Sequence, residues 1–229
     1  MNRVSLILVC LLLCFRSVAG WAQTREKVII DTDIGDDVDD AFALALAVQS
    51  PEFEILGVST TFRDTQLRAR LVDRFLGEVG RSDIPVLAGK PTAPTPMSQR
   101  RYTEAGHFAK NSHGDAADFL LDQIRKHPGE ITLIGIGPLM NVGAALDKDP
   151  ATFRELKRVV IMGGSVRKGY GDYGYNEPVP AMPEWNIVND VASAQKLFAS
   201  GVPSWSILPA FMTAIRSAVV IASAWSCVT

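Results

Sequence analysis

Two periodicities alternate along most of this chain, and no other feature restricts its fold so tightly. Short β-branched runs at residues 27–30, 55–61, 131–136 and 158–162 are bounded by Gly, Pro or Asp and read as buried strands. Between and after them, residues 40–49, 65–79, 116–126, 139–146 and 191–199 carry apolar side chains three and four apart, the pattern of amphipathic helices. This alternation predicts an α/β fold: an open, mostly parallel sheet with helices on both faces, joined by right-handed crossovers in the Rossmann-like manner. Such sheets bind ligands beyond the carboxyl ends of their strands, so chemistry is expected there. Residues 89–113, rich in Pro, Ser, Thr and Arg, and residues 166–183, rich in Gly, Tyr and Pro, break the alternation and read as long loops of the functional or mobile kind. His107 and His113 in the first of these are expected to be solvated.

Composition narrows the function. Of 229 residues, 47% are hydrophobic and 21% charged, enough apolar surface to offset the entropy of ordering the chain, so disorder is excluded. The formal charge of −2 leaves no excess of Lys and Arg to displace counterions from a phosphate backbone, and no nucleic-acid partner is expected. Three cysteines, Cys10, Cys14 and Cys227, make neither a disulfide framework nor a thiolate metal site. Residues 1–22 have the outline of a secretory signal peptide: Arg3, an apolar run over 4–15, and Gly20 and Ala22 at the −3 and −1 positions before Gln23. The run is short for a membrane span, so no stable membrane anchor is expected. Without these residues the chain keeps 21 bases against 25 acids, a charge of −4, and is expected to be exported, periplasmic or secreted.

The most informative segment follows the first strand. Asp31, Asp33, Asp36, Asp37, Asp39 and Asp40 place six carboxylates in ten positions, with Gly35 available for a tight turn. Unneutralised, such a cluster repels itself by on the order of several kcal/mol in a partly buried site. A divalent cation resolves the repulsion, and all-oxygen ligands select a hard ion, Ca²⁺ or Mg²⁺. An EF-hand is excluded, because counting from Asp31 puts Gly35 at position five and Phe42 at twelve. The run Asp31-Thr32-Asp33-Ile34-Gly35 nearly satisfies the start of a haloacid-dehalogenase phosphatase, whose later Lys and acidic pair are not evident. A metal-dependent phosphohydrolase of that type is the alternative enzyme.

The segment resembles more fully the N-terminal signature of the inosine-uridine nucleoside hydrolase family: Asp31-Thr32-Asp33-Ile34-Gly35, then Asp39-Asp40-Ala41-Phe42-Ala43 after two extra residues. Four more pieces follow in the family's order. They are the loop from Ser59 to Asp64, with Arg63 in place of a Gly; the strand and loop ending at Asn141; Met162-Gly163-Gly164; and Glu184-Trp185-Asn186-Ile187 with the helix after it. The resemblance implies Ca²⁺-dependent hydrolysis of the N-glycosidic bond of ribonucleosides to free base and ribose. It implies Asp33 as general base and metal ligand, Asp40 as second ligand, and the backbone carbonyl of Ile136 as a third. Asp37 or Asp39, together with Asp64, Met162, Glu184 and Asn186, are implied as substrate contacts. The implied partner is a small nucleoside, and a homo-oligomer is compatible with the pattern.

The resemblance covers residues 28–203. Family members continue into a region bearing a His that acts on the leaving group and an Asp that completes the metal shell, whereas no His or Asp follows Asp190 here. The fold is therefore expected to be C-terminally incomplete. The organisation expected is a signal peptide at 1–22, a nucleoside-hydrolase-like domain at 23–203 and a divergent tail at 204–229, for which a shifted reading frame is one explanation. A non-catalytic relative that binds calcium or nucleosides is a further alternative.

Overall fold

The computed structural model describes residues 24–104, 107–165, 168–169, 172 and 177–207. The signal-like segment, most of the tail and parts of the loop at 166–183 lie outside the described residues. Among the described residues, six strands form one all-parallel sheet: β1 (Glu26–Thr32), β2 (Phe53–Thr60), β3 (Val86–Ala88), β4 (Ile131–Gly135), β5 (Arg158–Met162) and β6 (Ser204–Ile207), in the order β3-β2-β1-β4-β5-β6. β6 falls at the start of the stretch set apart as a tail and pairs with β5.

Alternation of side chains along the central strands divides the core in two. Val28, Ile30 and Val58 join Leu44 of α1 (Asp39–Gln49) and Leu71, Val72 and Leu76 of α2 (Thr65–Glu78) on one face. Ile29, Leu133, Val159 and Ile161 meet the helices of the other face. Those are α4 (Ala116–Lys126), α5 (Met140–Lys148), α6 (Pro150–Phe153) and α8 (Val191–Ala199), with α3 (Arg100–Glu104) and α7 (Trp185–Asn189) as short intervening turns. Helices therefore cover both faces, as the buried, β-branched strands require. Carboxylates start many of these helices: Asp64, Asp115, Asp149, Glu184 and Asp190 each accept backbone N–H bonds as the N-cap of α2, α4, α6, α7 and α8. None of the described helices is long and apolar enough to cross a membrane.

Winding runs from β1 outward to β3, then returns to β4 beside β1 and proceeds to β6. The direction reverses between β1 and β4, and the crevice at the carboxyl ends of these two strands is where such folds take their ligands. Leu133, at the centre of β4, is 1% exposed and packs into the larger cluster. Leu133→Ala is expected to cost about 2–5 kcal/mol, read as a lowered urea midpoint with an unchanged slope. A loss within the scatter of surface substitutions would contradict the central place of β4.

Candidate active site at the strand switch point

The acidic turn occupies the switch point, and strand alternation sorts its members. Asp31 and Thr32 are successive residues at the end of β1, so they point to opposite faces. Asp31 meets the start of α5: its Oδ1 accepts from Asn141 Nδ2 at 2.7 Å and from Ser59 Oγ, its register partner on β2, at 2.6 Å. Thr32 meets the start of α1: its Oγ1 donates to Asp40 Oδ2 at 2.5 Å and accepts from Ile34 N at 3.0 Å. Burial drives the Asp31 carboxyl up to about 7 against those two hydrogen bonds, and the negative charge of Asp33 adds to the rise.

Asp33 stands at the start of the turn. A Cβ on Gly137, which follows β4, would lie 2.7 Å from Asp33 Oδ1 and 2.9 Å from its backbone N, so only glycine permits β4 to pass this close. Burial raises the Asp33 carboxyl to about 6; Arg68 opposes the rise, and Asp39 and Asp36 add to it. Burial also raises Asp40 well above the ordinary carboxylate value, and the next largest cause is Asp33 itself. Two desolvated carboxylates thus repel each other at the mouth of the crevice. Asp39 is half-buried, and its Oδ1 accepts the N–H of Asp40 at 3.0 Å. Asp37 is exposed; partial burial raises its carboxyl first, and Asp39 and Asp36 add to the effect. Gly35 turns the chain with φ +124°, a conformation L-residues rarely adopt, while Met97 fills the space beside it.

The opposite wall is built around Asn186. Its Nδ2 donates to the carbonyl of Ile136 at 3.1 Å and of Met162 at 3.0 Å, tying the ends of β4 and β5 together with Met162 Sδ 3.6 Å away. Glu184 is 4% exposed and accepts the N–H groups of Asn186, Ile187 and Gly164 at 3.0, 3.1 and 3.2 Å. Both side chains thereby fix the Gly163-Gly164 loop against α7. Contacts connect Asp40 with Thr32, Asp33 with Gly137, and Ile136, Met162, Glu184 and Asn186 with one another. Asp64 stands apart at the start of α2, where Oδ1 accepts from Leu67 N at 3.0 Å.

Sequence reasoning missed Arg68. This residue is 2% exposed on α2, and its guanidinium reaches the backbone of the acidic turn and Asp36. The available signal was a cation at a position whose neighbours at three and four, Leu71 and Val72, face the core. Phe62 and Arg63, just before α2, both hold left-handed backbone, φ 64° and 58°, at about 1–3 kcal/mol each. Arg63 occupies the position where the family pattern has Gly, which adopts that conformation freely. The segment 89–113 is partly ordered against the site: Ser98 N donates to Asp36 Oδ1 at 3.3 Å, and Gln99 Nε2 donates to the Asp37 carbonyl at 2.5 Å. His107 is exposed as expected, but the ring of His113 is buried, with Nε2 2.7 Å from Asp73 Oδ2 and Nδ1 3.0 Å from Gln66 Oε1. A buried carboxylate on α2 draws it inward.

The donors that the family resemblance implies, the carboxylates of Asp33 and Asp40 and the carbonyl of Ile136, are all oxygens. Their chemistry fits a hard divalent cation, whose charge would relieve the repulsion that raises both carboxyls. Among the described residues, no group of three or more His, Cys, Asp or Glu is placed to hold a metal, so the donor set found there is partial.

An all-parallel sheet of this strand order is a doubly wound α/β fold, and its buried carboxylates stand where that class takes its ligands, at the switch point. The chain belongs to the inosine-uridine preferring nucleoside hydrolase family, whose model matches residues 28–226. It is 37% identical over 191 residues to an uncharacterised protein of Schizosaccharomyces pombe, covering 77% of this chain and 59% of that one. It is 34% identical over 193 residues to uridine nucleosidase 1 of Arabidopsis thaliana, covering 77% and 54%. Among solved structures, the plant nucleoside hydrolase PpNRh1 superimposes with a TM-score of 0.66 at 26% identity, over 80% of this chain and 59% of that one. The chain thus spans between half and three fifths of the length of these relatives.

Asp31 supplies a test of the site's electrostatics. Its folded-state carboxyl titrates near 7 and its unfolded one near the ordinary value, so the native state holds a proton that the unfolded chain has released between about pH 4 and about pH 7. Stability therefore falls as pH rises through that window and levels off above it. Asp31→Asn removes this dependence, and its urea midpoint is expected to gain on the parent's from about pH 4 to about pH 7. Parallel profiles in chelator would contradict the assignment.

Proposed function

We propose that this chain is a nucleoside hydrolase that cleaves the N-glycosidic bond of ribonucleosides, releasing base and ribose, with Ca²⁺ as its cofactor. The observation that carries the reading is the repelling pair of half-buried Asp33 and buried Asp40, at the switch point of a sheet that belongs to this family. Asp33 is the general base: burial poises its carboxyl near 6, close to the pH at which it must take a proton from water. As Asp33 takes one proton of the water, the water oxygen bonds to the anomeric carbon and the carbon–nitrogen bond breaks; the base departs with the bonding electron pair and takes a proton from solvent, to which Asp33 later releases its own. Positive charge builds on the sugar on the way, and the surrounding carboxylates stabilise that charge more than they stabilise the neutral substrate.

Asp33, Asp40 and the Ile136 carbonyl would hold the cation. When bound, a hard divalent ion supplies positive charge that acidifies the attacking water. Asp39, beside Asp40, faces the ribose. Met162, Glu184 and Asn186 form the wall against the sugar, Glu184 and Asn186 chiefly by fixing its shape, whereas Asp64 caps α2. The uridine nucleosidase among the relatives supports a ribonucleoside substrate.

Incubation with inosine, uridine and p-nitrophenyl phosphate, with and without Ca²⁺, tests the proposal. Ca²⁺-dependent release of ribose is expected, and Asp33→Asn is expected to lower kcat by about 10²-fold or more. Release of phosphate instead would point to a phosphohydrolase, and thermal stabilisation by Ca²⁺ without turnover to a non-catalytic binder. Because the base must be ionised, kcat/KM is expected to fall on the acid side with its limb at or below about 6, since a bound cation lowers the carboxyl from the value it has without one. An acid limb that persists unchanged in the residual activity of Asp33→Asn would remove Asp33 from that role.

A further inference from the structure

We propose that Arg68 is the positioning residue of the site, a built-in cation that holds the acidic turn in shape whether or not a divalent ion is bound. This rests on the hydrolase reading only for what the turn is used for.

The guanidinium lies inside the fold and spans two turns. Its Nη1 donates to the carbonyls of Asp33 and Ile34, the latter at 2.7 Å, and Nη2 to Asp36 Oδ2 at 2.7 Å, all in the turn after β1. Nε donates to the carbonyl of Phe62 at 3.0 Å, in the turn after β2. Three of its four acceptors are backbone carbonyls, so the side chain fixes main-chain geometry and not merely charge. The Asp33 carbonyl belongs to the same residue whose carboxylate faces the crevice, which makes Arg68 an outer partner of a cation ligand. The Phe62 carbonyl belongs to the left-handed pair Phe62 and Arg63. That pair is further pinned by reciprocal bonds with Thr92, Arg63 N to Thr92 Oγ1 at 2.8 Å and Thr92 N to the Arg63 carbonyl at 3.0 Å.

Charge supports the same role. Asp36 accepts from Arg68 and stands 3.5 Å from Arg63 Nη1, so one of the six carboxylates is neutralised internally. A lysine at position 68 would keep the charge but lose the planar fork that serves several acceptors at once.

Amide hydrogen exchange on metal-free protein tests the proposal without any substrate. In the parent chain treated with EGTA, the amides of Ile34, Thr61 and Arg63, each of which has an acceptor, are expected to stay protected; exchange there at the rate of an open chain until Ca²⁺ is added would overturn it. In Arg68→Lys and Arg68→Met, exchange in both turns is expected to rise by about tenfold or more while residues 131–135 stay unchanged. The Ca²⁺ dissociation constant is expected to weaken by about 10–100-fold, with Lys less impaired than Met. Unchanged turns in a folded variant, or acceleration spread evenly over the sheet, would overturn the proposal. Should both variants fail to fold, Asp36→Asn removes the carboxylate partner at a half-exposed position, and faster exchange confined to residues 33–38 is expected; unchanged exchange there would count against it. Absence of nucleoside turnover by the parent would refute the hydrolase reading and leave these outcomes readable.

Discussion

Carboxylates crowded into a desolvated crevice repel one another, and the structure around the end of β1 is organised by how each is compensated. Asp31 is met by hydroxyl and amide donors from β2 and α5, and its carboxyl is driven toward the neutral form. Asp36 is neutralised by Arg68 and Arg63. Asp64 and Glu184 spend their oxygens on helix N-termini, where backbone N–H groups and the helix dipole favour negative charge. Asp33 and Asp40 remain as a like-charged pair with raised carboxyls. A residual unfavourable charge at a ligand-binding position is the usual mark of a functional site.

The sheet topology places that pair. Because β4 returns beside β1, the turns after both strands open on one crevice, and Gly137 lets them approach within contact of Asp33. Thr61 Oγ1 donates to the Pro138 carbonyl at 3.0 Å, and Thr61 N to the Thr32 carbonyl at 2.9 Å, so the turn after β2 is locked to the other two. Asn186 performs the same service between the ends of β4 and β5. The site is thus a set of strand ends joined by short polar bonds, which is the rigidity that positioning a reacting water requires.

Strong periodicity made the central elements legible. β1, β2, β4, β5 and the longer helices lie where hydrophobic spacing puts them, and the family motifs carried the acidic turn and the Met162 and Glu184 segments. What escaped was short or depended on distant partners. β3 has three residues, too few for an alternating pattern, and α7 is a five-residue turn started by Glu184. The last strand, β6, mixes Ser and Trp at an edge and carries little strand signal. Arg68 reads in sequence as one more polar helix residue, because its role appears only when two turns from different strands close over it. His113 reads as a loop residue because the carboxylate that buries it, Asp73, is forty residues away.

The central claim is that the repulsion between Asp33 and Asp40 makes the crevice a site for a hard cation. Calorimetric titration of Ca²⁺ into protein freed of metal and chelator, repeated at several pH values with two buffers of different ionisation enthalpy at each, measures both binding and proton exchange. One ion per chain is predicted, with protons released at about pH 6, where Asp33 is partly protonated, and fewer released as the pH is raised. Absence of binding, or binding that releases no proton at about pH 6, would contradict it.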